Sequence, residues 1–305
     1  HSFPTRRSSD LLLDLSQLHK WQFWNPKMGV NWRIDQSRKL YLSAGIANRE
    51  PTRADLKDAV KGGSRRVLPE RLYDVELGYS VNKPKWMLAL NLYDMEYHNQ
   101  LIPTGKLNEV GYKLMSNVPY SYRRGMELSA DIRPFSVLQL DANLSLSTNK
   151  VKDFSLYYST YDNASDWNEI LDQSRQISSY YSMADLPFSP ACIAAARLQY
   201  QPVPSLQLSL MGKYIAEQQF SYIQHEEFRL PAYTQFNFSA VYSGCLVGNS
   251  DFELGFYINN LLGNQPLCNA WGYEIAFLSG EEPYRETGYY VLAPRHYMLK
   301  FVFKI

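Results

Sequence analysis

"LQLDANLSLS", residues 138–147, alternates without a break. Leu138, Leu140, Ala142, Leu144 and Leu146 are apolar, and Gln139, Asp141, Asn143, Ser145 and Ser147 are polar. A period of two over this length predicts a strand with one oily face and one wet face. A soluble sandwich uses such strands, and so does a membrane barrel. What lies on either side of the stretch decides between them.

The same dyad pattern recurs at 28–34, 40–46, 75–79, 86–92, 126–132, 194–200, 206–214, 236–242 and 252–258, and in the closing "HYMLKFVFKI" at 296–305. With residues 138–146 that makes eleven predicted strands. The connections alternate in length. The short "DQSRK", "NKPK", "RPFS", "QPVPS" and "SGCLVGNS" take turns with long stretches at 50–70, 98–111, 151–190, 217–231 and 261–293. Tight turns on one rim and long loops on the other is the habit of a transmembrane barrel, whereas a sandwich scatters its loop lengths over both ends. Tyr79, Trp86, Tyr200 and Tyr242 fall at strand ends beside the short turns, where an aromatic girdle meets lipid headgroups. The polar faces carry Glu, Asp, Asn, Gln and Arg, and each such group left unpaired in a dry core costs several kcal/mol. An aqueous bore removes that cost. The expected fold is therefore all-β: an antiparallel transmembrane β-barrel with short periplasmic turns and long extracellular loops. Bacterial barrels close on an even strand number, so eleven predicts part of a larger barrel.

Composition agrees. The chain has 305 residues, a formal net charge of +1 and a mean hydropathy of −0.36, with 24 Tyr, 14 Phe and 6 Trp. That charge offers nothing to attract nucleic acid. No apolar run approaches the ~18 residues of a membrane-spanning helix, a test that barrel strands do not have to pass. Cys192, Cys245 and Cys268 are far apart and lack CxxC spacing, so they are expected to be free thiols rather than zinc ligands. The histidines, at 1, 19, 98, 225 and 296, show no metal-ligand spacing, and no cofactor or metal is expected. "HEE" at 225–227 reads as a solvated charge run. In "SYRRG" at 121–125 the two arginines point to opposite faces of a strand, one of them into the bore. No G-x-S-x-G and no ordered nucleophile–histidine pair occurs, so no enzyme activity is expected. A short helical turn is expected within 51–63, capped by Thr52 and stopped by Gly62. The opening "HSFPTRRSSDL" is too short in its apolar part for a signal peptide. Residues 1–10 read as a non-native, adaptor-derived segment and residues 11–305 as barrel.

The long loops hold the candidate binding residues. Tyr157, Tyr158, Tyr161, Trp167, Tyr180 and Tyr181 lie in one, and Trp271, Tyr273 and Tyr284 in another. Exposed aromatic rings suit stacking on a flat siderophore, a corrinoid or a sugar ring, and the same residues also serve plain loop packing.

Several stretches together resemble the TonB-dependent outer-membrane receptors. They are "ANREPTRADLKD", "PERLYDVELGY", "LNLYDMEYHNQLIPTGKLNEVG", "NVPYSYRRGMELSADIRP" with Gly125 and Glu127, "KYIAEQQF", "FYINNLLGNQ" and "APRHYMLKFVFKI". The resemblance implies a 22-stranded barrel in the outer membrane of a Gram-negative bacterium, closed by an N-terminal plug that precedes the part seen here. It also implies a scarce nutrient as ligand: a ferric siderophore, haem, cobalamin or a glycan. The implied partners are outer-membrane lipid, the TonB complex through the N-terminal region, and the barrel-assembly machinery through the C-terminal strand. The rival readings are a passive porin-like barrel and a carbohydrate-binding β-sandwich module.

Overall fold

The computed structural model describes residues 18–61, 67–107, 113–170, 175–245 and 251–304. Eleven antiparallel strands form one open sheet in sequence order: β1 Lys27–Arg33, β2 Arg38–Arg49, β3 Glu70–Lys83, β4 Trp86–Leu107, β5 Lys113–Phe135, β6 Leu138–Tyr157, β7 Cys192–Val203, β8 Leu206–Ile215, β9 Tyr233–Cys245, β10 Asp251–Asn259 and β11 His296–Lys304. All eleven dyad stretches became these strands. A further strand, Ser178–Asp185, pairs with the upper part of β6. Among the described residues no helix is long and apolar enough to cross a membrane.

Register keeps the oily side continuous. Tyr79 lies opposite Leu90, Leu90 opposite Leu128, Leu128 opposite Leu144, and Leu144 opposite Ala194. A slip of one residue in any pair would turn that strand's apolar set inward, which is why a buried or lipid-facing side specifies register so strongly. The opposite side is polar and internally bonded. Tyr41 donates to Asn91 at 2.7 Å, Gln139 to both Asp131 and Asp141, Arg197 to Asp141 at 2.7 Å, and Lys300 to Glu253 at 3.2 Å. Gly78 lets the Tyr41 ring lie flat on this face: a Cβ there would sit 1.8 Å from the ring.

The apolar side packs on nothing. Met28, Val30, Trp32, Leu42, Leu254 and Leu299 are all exposed, and among the described residues no buried hydrophobic residue belongs to the dyad stretches. The chain exposes 20090 Å², against about 13,000 Å² for a folded soluble monomer of this mass. Two oily sheets folded together would have removed that surface, so a sandwich is excluded. The girdle residues Tyr79, Trp86, Tyr200 and Tyr242 stand exposed on the same side.

The sheet runs past its oily band. The stretch 98–111, expected to be a loop, is instead mostly strand, because β4 continues to Leu107 and β5 begins at Lys113. Likewise β6 extends to Tyr157. The reason is solvent. Above Leu92 and Met126 the outward side turns polar, with Asp94 and Glu96 on β4 holding Arg124 on β5, at 2.8 Å for Asp94. The ladder persists, but the apolar alternation that marks a strand in sequence exists only where one side meets hydrocarbon. Arg123 points the other way, its guanidinium 5.0 Å from the Tyr97 ring centroid, as the spacing required. Between β2 and β3, α1 (Arg53–Lys61) begins where expected. Thr52 Oγ1 accepts from the Asp55 amide and donates to the Asp55 carboxylate, a capping box. Its expected stop at Gly62 lies outside the described residues, as do residues 1–10.

Candidate functional site

Among the described residues, a sizeable dry core lies in the long loops. Phe220, Phe228 and Leu230 from 216–232, Phe154, Leu156 and Leu186 from 151–191, and Ala270 and Ala276 from 260–295 pack together with Ile102 of β4 and Val118 of β5, above the oily band of the sheet. Three long loops and the upper part of the β4–β5 hairpin therefore form one folded crown. Its third loop is a hairpin, Leu267–Phe277 with Tyr284–Val291. One face of the hairpin meets the core: Ala270 and Ala276 are buried there, and a Cβ on Gly272 would lie 2.8 Å from the Phe228 ring. Glu274 and Arg285 pair across that face at 2.5 Å, the carboxylate being 9% exposed.

The second loop is welded to this hairpin. Ser159–Tyr161 runs parallel to 275–277, with Tyr161 opposite Phe277. The Leu278 amide donates to the Tyr161 carbonyl at 2.9 Å. Glu281 closes the joint, accepting from the Ala164 amide at 2.7 Å and from Ser279 Oγ at 2.9 Å. Those two bonds, the amide first, hold the Glu281 carboxyl below the usual glutamate range. Thr160, fully buried, accepts from the Ile177 amide and donates to the Tyr158 carbonyl.

Five of the nine aromatic residues singled out in the sequence meet on the open face of this joint. Tyr161 and Trp167 lie 5.2 Å apart by ring centroids, Trp167 and Tyr284 6.1 Å, Tyr284 and Tyr273 6.4 Å, and Tyr273 and Trp271 6.4 Å. The planes of Trp271 and Tyr273 are nearly parallel, 14° apart, in a stacked pair. Gly288 makes this possible, since a Cβ there would stand 2.4 Å from the Trp271 indole. The indole therefore occupies the space that a side chain at position 288 would fill. Trp167 is pinned from below by Phe277, and its Nε1 donates to the Ala164 carbonyl at 2.9 Å. Glu286 sits among the rings, accepting from the Tyr273 and Tyr284 hydroxyls. The bond to Glu286, with some burial, pushes the Tyr273 phenol up to about 12.

The other four residues go elsewhere. Tyr158 is buried in the crown core, its hydroxyl bonded to Ser179 and Tyr181, and burial raises its phenol well above the ordinary value. Tyr181 packs against the same core. Tyr180 is exposed and donates to Asp153 at 2.5 Å, and Tyr157, half-buried, ends β6. Sequence reasoning missed Glu286 and Gly288. Glu286 was readable as the strand neighbour of Tyr284 two positions on, while Gly288 gains its meaning only from pairing with Trp271. "HEE" forms a turn of 3₁₀ helix at Glu226–Phe228, with the His225 ring accepting from the Glu227 amide. None of the three cysteines is in a disulfide.

An open one-sided sheet crowned by packed loops is the architecture of part of a β-barrel wall. Residues 3–261 match the sequence profile of a family described as TonB dependent receptor-like, beta-barrel, and the chain belongs to that family. Solved structures show the same fold. The ferric-catecholate import receptor Fiu of E. coli is 16% identical, with a TM-score of 0.56 over 91% of this chain and 34% of that one. The siderophore receptor PiuA of Acinetobacter baumannii is 14% identical, with a TM-score of 0.61 over 91% and 35%. The ferric citrate transporter FecA is 16% identical, with a TM-score of 0.63 over 92% and 38%. The chain thus spans little more than a third of the receptors it matches. No curated protein matches by sequence.

Proposed function

We propose that this chain supplies the C-terminal barrel wall and the ligand-catching outer loops of a receptor that takes up a scarce nutrient across the outer membrane of a Gram-negative bacterium. The observation that carries the reading is the one-sided sheet: an unpacked apolar side, a bonded polar side, and loop chemistry gathered beyond a single rim. The apolar band meets lipid and the polar side lines a bore. The aromatic platform of Tyr161, Trp167, Trp271, Tyr273 and Tyr284 holds the ligand by stacking. Family membership supports TonB as the source of energy, engaged through a part of the receptor outside this chain. β11, whose Tyr297, Leu299, Phe301 and Phe303 all stand exposed, supports engagement of the barrel-assembly machinery. The role is binding and transport without catalysis.

The test is uptake by cells that express the receptor containing this chain. Labelled ferric siderophores, haem, cobalamin and oligosaccharides are each supplied with and without a protonophore. Uptake of one of them that stops with the protonophore and with deletion of TonB supports the reading. Uptake indifferent to both would instead make the molecule a passive porin-like barrel.

A further inference from the structure

The wall bends into the crown along a single line. Asn99 of β4 has φ 55° and Asp153 of β6 has φ 51°, both in the left-handed region. After glycine, Asn and Asp enter that region most readily. Register sets the two level. His98 faces Tyr120 and Gln100 faces Val118, which puts Asn99 level with Pro119. Tyr120 faces Lys152, while Lys152 and Phe154 face Met183 and Tyr181, so the line runs on through Asp153 to Ser182. Pairing skips Asn99 with Pro119 and Asp153 with Ser182, and between β5 and β6 it stops at Tyr120 with Lys152. Pro119 has no N–H to give to a ladder. Among the described residues the two other non-glycine left-handed residues are Phe188, shortly before β7, and Asn260, directly after β10. They too stand where wall passes into crown.

The line reverses the sides of three neighbouring strands. Below it Tyr97, Ser121 and Val151 stand opposite one another on the side of Arg123, which is the bore side. Strict alternation would bring residues 153 and 155 to that side next. Instead Phe154 and Leu156 join Val151 in the crown core, and Ile102 and Val118 join them from β4 and β5. A crease that switches faces in three strands at once folds what lies above it inward over the bore. Above the crease the parts are welded together. The core joins the loops, 159–161 pairs with 275–277, and Gly105 approaches the Tyr157 carbonyl so closely that a Cβ would stand 2.2 Å from it. Below the crease, Val151 and Ala184 form the seat on which the core rests. A side chain of the 216–232 loop also clips the crown to the wall. Gln224 accepts from the Asp185 amide at 2.9 Å and donates to the Asp185 carbonyl at 3.3 Å, and Asp185 lies on the wall side of the line, opposite Lys150.

We propose that the crown is a single lid, hinged on the crease through Asn99, Pro119, Asp153 and Ser182 and clipped shut by Gln224. Its loops move together rather than one by one. The proposal rests on the reading of the polar side as the bore. A hinge is a few residues that absorb the change in backbone angles while the packed bodies on either side stay rigid. A rigid-body rotation of about 15° would carry the tip of β4, about eight residues above the crease at ~3.3 Å each, by roughly 7 Å.

The experiment reads distances by pulsed electron paramagnetic resonance in the intact receptor in lipid nanodiscs, with Cys192→Ser, Cys245→Ser and Cys268→Ser as background. Nitroxides are attached in pairs through Asp166→Cys, Glu226→Cys, Glu282→Cys and Ser136→Cys. Positions 166 with 226 and 226 with 282 span the crown, whereas 226 with 136, in the turn between β5 and β6, spans crown and wall. Gln224→Ala is expected to add a second population, shifted by several ångströms, to the crown–wall distances and to leave both crown pairs unchanged. Asn99→Gly with Asp153→Gly keeps the left-handed conformation accessible and loosens the chain. It should broaden the same crown–wall pair with the clip intact, and it carries the test if Gln224→Ala fails to assemble. Broadening of either crown pair would overturn the single body. Unchanged distances in all three pairs would overturn the hinge. Either failure concerns motion alone, and the reading of the bore then stands or falls on the uptake measurement.

Discussion

Placing an arginine on either side of β6 tests the wall directly. Leu144 and Asn143 are neighbours: Leu144 continues the oily row through Leu128 and Leu90, while Asn143 lies opposite Ser129 on the wet side. Leu138 pairs with the girdle residue Tyr200. Leu144 is six residues further on, roughly 15 Å higher at ~3.3 Å per residue and a tilt near 40°. In a band about 25 Å tall that puts it close to mid-depth. An arginine there costs about 3 kcal/mol, roughly a hundredfold in the ratio of assembled to unassembled protein. Asn143→Arg meets water and stays within about 0.5 kcal/mol, as surface changes do. In outer-membrane fractions of cells expressing the full receptor, Leu144→Arg is expected to lose most of its heat-modifiable band and Asn143→Arg to keep it. Equal mobility of the two variants would refute the assignment of sides. A loss confined to Asn143→Arg would invert it.

Three further outcomes follow from the crown and the bore. Arg285→Ala strands the nearly buried Glu274 carboxylate and should destabilise the hairpin by about 3 kcal/mol, seen as faster protease cutting between residues 267 and 291, while Arg285→Met with Glu274→Leu should recover much of the loss. The Glu281 joint should weaken in acid: its folded carboxyl lies below the ordinary glutamate value, so its contribution is complete above about pH 4.3 and fades as pH falls through the lower folded value. Trp167 fluorescence, read against pH, should follow that loss in the native receptor, and Glu281→Gln should flatten the profile. Gly78→Val places side-chain atoms where the Tyr41 ring lies and should break its bond to Asn91, lowering the yield of folded barrel. Tyr41→Ala in the same background should restore part of it.

The sequence by itself determined the wall. All eleven strands, their sides, their order and the alternation of turn and loop were legible because hydrocarbon on one side and water on the other imprint a period of two at every residue of the band. The imprint ends where the band ends, so the continuation of β4 past Asn99 and of β5 before Val118 went unread even though the ladder is intact there. The opposite faces of Arg123 and Arg124 were legible for the same local reason. The platform was only half legible. Composition marked both loops as aromatic, but nothing local distinguishes Tyr158, which the crown buries, from Trp167, which it leaves half-exposed. That difference is decided by the parallel joint of 159–161 with 275–277, a contact between segments more than a hundred residues apart. Tertiary structure alone brought Tyr161 and Trp167 beside Tyr284, set Trp271 over Gly288, and placed Glu286 against the Tyr273 and Tyr284 hydroxyls. Loop packing depends on which long-range surfaces happen to meet, and no short-range period records that.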